Sequence, residues 1–302
     1  MSRKGIAQLV VLWALLLLGT LAMSFAFSMR TEAQASRNGL EAARAYFLAR
    51  TGVERTIALL STGATDNVLA GAVTGGEDGA TYEVRVMPEN GKIDINHVGE
   101  EGLKEILRNS GLSEDEVESI GDAILDWRDE DDQRRPAGAE EQDYAFLPEP
   151  VKPRNGRLAS VEELRYVRGV PPEFFSRVLA NVFTVDSGSP GVNVNAAPIE
   201  VLRVLPGFTP ELAALVKERR KESPFRSPGD VAAILAAEGV GPSAIPVISG
   251  GASSRVYTIT STGKAEGSVT RVIRCIIVVG GGPNPIKIRR WEDHVPIYEE
   301  AG

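Results

Sequence analysis

The chain has 302 residues, 43% of them hydrophobic and 25% charged, with a formal net charge of −8. This near-average balance excludes wholesale disorder, and the acidic excess argues against a general nucleic-acid binder. A single cysteine, Cys275, excludes an intramolecular disulfide, and two distant histidines, His97 and His294, leave no basis for a Cys/His metal site or a multi-histidine catalytic centre.

Residues 6–27, IAQLVVLWALLLLGTLAMSFAF, carry no charge. As a helix they span about 33 Å at ~1.5 Å per residue, enough for a bilayer core. Arg3 and Lys4 precede the span and place the N-terminus in the cytoplasm by the positive-inside rule. The run is longer than the apolar region of a cleaved secretory signal. The helical pattern continues without proline to about residue 61, with Leu40, Ala43, Phe47, Val53, Ile57 and Leu60 on one expected face. Gly39 and Gly52 weaken it locally.

A short basic leader ending in glycine, then a long apolar helix running into an amphipathic one, resembles type IV pilins and type II secretion pseudopilins. The resemblance implies cleavage by a prepilin peptidase between Gly5 and Ile6. The mature fifth position, glutamate in most pilins, is Val10 here. A subunit lacking that glutamate suits the tip of a filament, where no subunit lies above it. A plain signal-anchor helix is the alternative for this segment alone.

Residues 63–78 are rich in glycine and small side chains and read as a loop. Tyr82, Val84 and Val86 alternate with Glu83, Arg85 and Met87, which predicts a half-buried strand. Asn90-Gly91 signals a turn, with Lys92–Ile95 as the returning strand. Helical texture follows to about residue 247. It contains a loose repeat, in which the stretch from Ile93 aligns with the stretch from Val192, each with an extended pair ending in asparagine (Asn96, Asn195). A helix, a glycine turn (Gly111, Gly207) and a capped second helix then follow, with Ser113, Glu116 and Thr209 as capping residues. Ser160 with Gly169, and Ser227 with Gly239 and Gly241, mark two related units. The unit at Gly207 resembles the helix-hairpin-helix of competence-type DNA receptors, although Thr209 stands where that motif has its second glycine. Lys217, Arg219, Arg220 and Lys221 could touch a phosphate backbone or simply be a solvated helix end. A membrane-anchored DNA-binding protein is therefore the rival reading.

Residues 124–156 form the most distinctive run in the chain. Asp126, Asp129, Asp131 and Asp132 precede Glu140, Glu141 and Asp143. Clustered carboxylates on an irregular loop suit a hard, oxygen-seeking cation, though the EF-hand spacing is missing. They could equally be a solvated loop paired with Arg128, Arg134 and Arg135. The pattern Asp-Trp-Arg-Asp-x-Asp-Asp, then Pro-x-Gly-Ala-Glu and Tyr, resembles the pseudopilin K family. That resemblance implies calcium (Ca2+), with Asp129, Asp131, Glu140 and Asp143 as ligands. No G-x-S-x-G, P-loop or H-E-x-x-H accompanies the acids, so no enzyme is expected.

Val256–Thr260 alternates, a turn is expected over Gly263–Gly267, and Val269–Val279 reads as a long strand that is apolar on both faces. Cys275 is expected to be buried and unreactive. The tail from Gly280 is expected at the periphery.

The sequence thus predicts an α+β fold: a long N-terminal helix, transmembrane then amphipathic, and a pilin-like antiparallel sheet interrupted by a large all-α insertion with helix-hairpin-helix-like units. The expected divisions are a leader 1–5, a helix 6–62 (6–27 in the membrane), β parts 63–97 and 250–282, a helical insertion 98–249, and a tail 283–302. The resemblance implies a K-type minor pseudopilin at the tip of the pseudopilus, anchored in the inner membrane with its soluble part in the periplasm. Implied partners are minor pseudopilins I and J, the major pseudopilin, the inner-membrane assembly platform and the prepilin peptidase, with no nucleic acid.

Overall fold

The computed structural model describes residues 3–63, 68–69, 71, 73–77, 79–146, 150–187, 189–240, 248–249, 254–266, 269–282, 285–293 and 295. For residues 3–8, 10, 248 and 249 it describes the backbone only. The chain divides into two compact units, one of Met1–Val86, Ile259–Cys275 and Arg290–Gly302, the other of Met87–Thr258 and Ile276–Arg289.

The first unit begins with helix α1, Arg3–Ser61, 59 residues unbroken because no proline interrupts it. Residues 11–40 are exposed along its length. The buried stripe is Ala45, Ala49, Val53, Thr56 and Leu60, at spacings of four, four, three and four. Leu40 and Phe47, expected to share a face with Val53 and Leu60, point to solvent, whereas Val53 and Leu60 are buried. The inward face is made of small residues because a strand must come close. After α1 come β1 (Val73–Glu77) and β2 (Ala80–Pro88), antiparallel, with Val73 opposite Val84 and Glu77 opposite Ala80. Residues 73–77, expected as loop, are therefore a strand. Gly75 makes room there for the Tyr82 ring, which would collide with any Cβ.

The second unit opens with a 3-10 turn, Glu89–Gly91, and β3, Ile93–Asp94. Helices α2 (Glu100–Asn109), α3 (Glu114–Arg128) and α4 (Glu141–Ala145) follow. A 3-10 turn (Val161–Arg165) leads to α5, residues 172–182, which contains a π turn at Phe175–Leu179. Next are β4 (Phe183–Thr184), β5 (Val192–Asn193), α6 (Ile199–Val204), α7 (Pro210–Glu222), α8 (Pro228–Ala237) and β6 (Ile248–Ser249). The expected hairpin return at Lys92–Ile95 does not occur. β3 instead pairs in parallel with β4, Ile93 beside Phe183. Gly91 is pressed against the Ala196 backbone, 2.8 Å from where a Cβ would stand, and Ile93 is buried in the helical core.

The loose repeat has a geometric counterpart. Asn96 exchanges two hydrogen bonds with the Leu158 backbone (2.8 and 2.9 Å), and Asn195 does the same with Phe225 (2.9 and 2.8 Å). Arg128, closing α3, donates to the Ile95 and Val98 carbonyls, and Arg220, near the end of α7, donates to those of Val194 and Ala197. Gly111 and Gly207 turn between their helices at φ 91° and 77°, where a side chain would be strained. β5 pairs in parallel with β6 as β3 does with β4. The two units differ mainly in one connection. From Arg128 to Leu158 the first carries the long acidic loop, where the second passes directly from Glu222 to Phe225. Ile93, Ile95, Leu103, Ile106, Ile124, Leu179 and Leu202 belong to one continuous core.

The chain ends in β7 (Val256–Lys264), β8 (Thr270–Val279) and β9 (Ile286–Glu292). The five-stranded sheet has the order β1-β2-β7-β8-β9. Gly263, expected in a turn, lies within β7. A Cβ there would strike the Ala45 carbonyl and the Ala49 amide of α1, so the glycine serves close packing rather than a bend. β9 falls in the segment expected to be a peripheral tail; it is an edge strand. Cys275 is buried, as expected, between Ile273 and Ile277.

Candidate functional site

The acidic loop is anchored by a row of carboxylates on α3. Asp122 and Asp126 stand one turn apart, and Asp129 follows three residues on, so all three share a face. Asp122 binds Lys104 (2.8 Å) and accepts the Ala137 N–H (3.1 Å). Asp126, fully buried, accepts the Arg135 N–H and its Nη1 (2.7 Å). Gly138 lies directly against Asp126, where a Cβ would clash with Oδ2. The loop is thus folded back onto its own helix by side chains that the helix presents.

Four of these acids were expected to bind a cation. Asp129 Oδ2 accepts from Arg135 Nη1 at 2.5 Å, while its Oδ1 is buried with no partner among the described residues. Asp131 Oδ1 accepts the Gln133 N–H (2.8 Å). Glu140 is 7% exposed, and neither of its carboxylate oxygens has a hydrogen-bond partner among the described residues. Burial, then Asp126, Asp129, Asp132 and Asp131, push its pKa up to about 7. Asp143 is engaged elsewhere: Oδ2 accepts the Glu140 N–H (3.0 Å) at the start of α4, and Oδ1 faces Arg134 and Arg168. Asp129, Asp131 and Glu140 therefore share one electrostatic environment, and Asp143 is directed to the helix cap and two arginines. Among the described residues no three His, Cys, Asp or Glu side chains converge as a ready-made metal cage.

Asp126, Asp132 and Arg135, named in the acidic run but not among the expected ligands, also act at this cluster. The i, i+4, i+7 spacing of Asp122, Asp126 and Asp129 was the available signal. Burial lowers the affinity of the Arg135 guanidinium for its proton, but Asp129 and Asp126 outweigh it and hold the pKa well above the usual value.

Among the described residues, the N-termini of the second hairpin helices carry acids rather than a phosphate-binding cradle. The first turn of α3 carries Glu114, Asp115 and Glu116, and that of α7 carries Glu211, all repelling an anion at the helix N-terminus. Arg220 is spent on two carbonyls, and Lys221 pairs with Glu218 at 2.7 Å. The DNA-binding alternative is not supported. The processing-site residues Gly5 and Ile6, and Val10, lie in the α1 backbone, and their side chains fall outside the described residues.

The described residues thus combine a continuous apolar N-terminal helix, an antiparallel sheet and a set of helices. Residues 79–186 match the family described as type II secretion system (T2SS), protein K. A type II secretion system protein K of Pectobacterium carotovorum subsp. carotovorum is 34% identical over 90 residues, 30% of this chain and 27% of that one. One from Dickeya chrysanthemi is 35% identical over 106 residues, 34% and 27%. One from Pseudomonas aeruginosa is 26% identical over 164 residues, 51% and 49%. The chain therefore spans between a quarter and a half of the length of these relatives. The fold also matches a chain in the crystal structure of the GspK-GspI-GspJ complex from the enterotoxigenic Escherichia coli Type 2 Secretion System. There the TM-score is 0.68 at 14% identity, covering 88% of this chain and 100% of that one.

Proposed function

We propose that the chain is a minor pseudopilin at the tip of the type II secretion pseudopilus, required for its assembly and for protein secretion across the outer membrane. The observation that carries this reading is the protein K segment, residues 79–186, joined to one uninterrupted helix whose first part is apolar and exposed. The role is assembly rather than catalysis. A prepilin peptidase cuts between Gly5 and Ile6, α1 rests in the inner membrane with its N-terminus cytoplasmic, and the rest faces the periplasm. Val10 removes one inter-subunit charge pair, in keeping with a subunit that has none above it. Exposed Leu40 and Phe47 offer an apolar stripe to neighbouring helices. Minor pseudopilins I and J are the direct partners, and the major pseudopilin and the inner-membrane assembly platform receive the resulting complex. The solved GspK-GspI-GspJ complex, whose fold this chain shares, supports that choice of partners.

Calcium is part of this reading. The donors are hard oxygens, and the unpartnered buried oxygens of Asp129 and Glu140 fit such a cation. Asp129, Asp131 and Glu140 would hold it, with Asp143 contributing if it leaves the cap. When bound, the ion supplies the positive charge that the cluster lacks.

The test is co-expression with a prepilin peptidase, followed by N-terminal mass analysis and pull-down with the I and J subunits. A mature terminus at Ile6 and a ternary complex are expected. A chain still beginning at Met1, or cut beyond residue 27, defeats the pseudopilin reading.

A further inference from the structure

A cation already occupies the acidic cluster, and it belongs to the chain. Arg135 Nη1 lies 2.7 Å from Asp126 Oδ1 and 2.5 Å from Asp129 Oδ2. Calcium sits about 2.3–2.6 Å from its oxygens, so an ion that takes Asp129 through both oxygens competes with that nitrogen for Oδ2. The guanidinium neutralises only one side of the cluster. On the other side, Asp129 Oδ1 is buried and unpartnered, and Glu140, more than nine-tenths buried, holds two unpartnered oxygens amid Asp126, Asp129, Asp131 and Asp132. One positive charge faces several carboxylates. The arginine is also free to leave, because its side chain is 30% exposed while its own N–H remains tied to Asp126 at 3.2 Å. The guanidinium can swing out with the backbone held in place.

We propose that Arg135 is the resident counter-ion of this cluster and sets its calcium affinity by having to release Asp129 before the metal can bind. This rests on the calcium reading above. The loop then has two closed forms, one held by arginine and one by metal. Ligation through both oxygens of Asp129 is available only in the second.

The experiment is calorimetric titration of Ca2+ into the detergent-solubilised full chain after chelator washing. Arg135→Gln should bind calcium about tenfold more tightly than the unmodified chain, the worth of one charge-assisted contact no longer broken. Arg157→Gln removes a nearby charge without touching Asp126 or Asp129 and should shift the affinity far less. Equal or weaker binding by Arg135→Gln overturns the proposal and leaves the calcium reading standing. Failure of both the unmodified chain and Arg135→Gln to bind calcium defeats the calcium reading itself, and the proposal with it. A second readout needs no variant. Phenylglyoxal labelling, mapped by mass spectrometry, should rise at Arg135 when calcium is added and stay constant at Arg220, which holds two backbone carbonyls. Unchanged labelling of Arg135 in the calcium-saturated chain overturns the proposal.

Discussion

Arg128 and Arg220 carry charge into the helical unit so that four backbone carbonyls find donors. Each lies at or near a helix C-terminus, where a cation is also favoured by the peptide dipoles. Truncation would leave two carbonyls facing the core unpaired, so Arg128→Ala and Arg220→Ala should each cost on the order of 3 kcal/mol in denaturant unfolding. An effect within the scatter of surface substitutions would mean that water replaces the guanidinium. Glu140 makes a second prediction. Its folded pKa, about 7, lies above the unfolded value near 4.5. Its contribution to metal-free stability is fully present below the unfolded pKa and is lost as pH rises through about 7. Metal-free unfolding measured across that window should show Glu140→Gln flattening the slope. Cys275 is pushed up to about 11 by burial. It should resist alkylation at pH 8 in the native chain and react at once after denaturation.

Packing between elements turns on glycines whose purpose differs from their sequence appearance. Gly39 sits in α1 with open space around it, so Gly39→Ala should stabilise by up to about 1 kcal/mol. Gly263→Ala should do the reverse, because its Cβ meets the backbone of α1, and limited proteolysis of the segment 45–61 reads the difference. These residues also show what the sequence could convey. The extent of α1, strand β2, the helix caps at Ser113, Thr209 and Ser227, and the positive-φ glycines 111 and 207 were legible, because each depends on local chemistry. Gly263 read as a turn because glycine's permissiveness is local while its need to be small is tertiary. β1 read as loop for the same reason, as its glycines accommodate Tyr82. β3 was given the wrong partner, since Asn90-Gly91 specifies a bend and not where the chain goes next. In the acidic loop the residue types were visible, but the unpartnered state of Glu140 and the seat of Arg135 depend on a fold-back that spacing alone does not disclose.

At the scale of the molecule, cation binding should appear as stability. A ligand at a hundredfold its Kd adds about 2.7 kcal/mol to a site that exists only in the folded chain. Calcium should therefore raise the Tm of the chelator-treated chain, and Glu140→Gln should abolish the rise; an unchanged Tm at millimolar calcium argues against the site. The helix α1 has a different consequence. Residues 6–27 are long and apolar enough to cross a bilayer, and the first described side chain of α1 to be fully buried is Ala45. The intervening 28–44 are helical, and at ~1.5 Å per residue they form a stalk of about 25 Å. With 6–27 in a bilayer, as proposed, the sheet end of this unit would be a payload on a mast, clear of the headgroups by more than a Debye length at physiological salt. Changing the charge of the lipid should leave it indifferent, whereas deleting seven residues of the mast, close to two turns, should lower it by about 10 Å with a rotation of only about 20°.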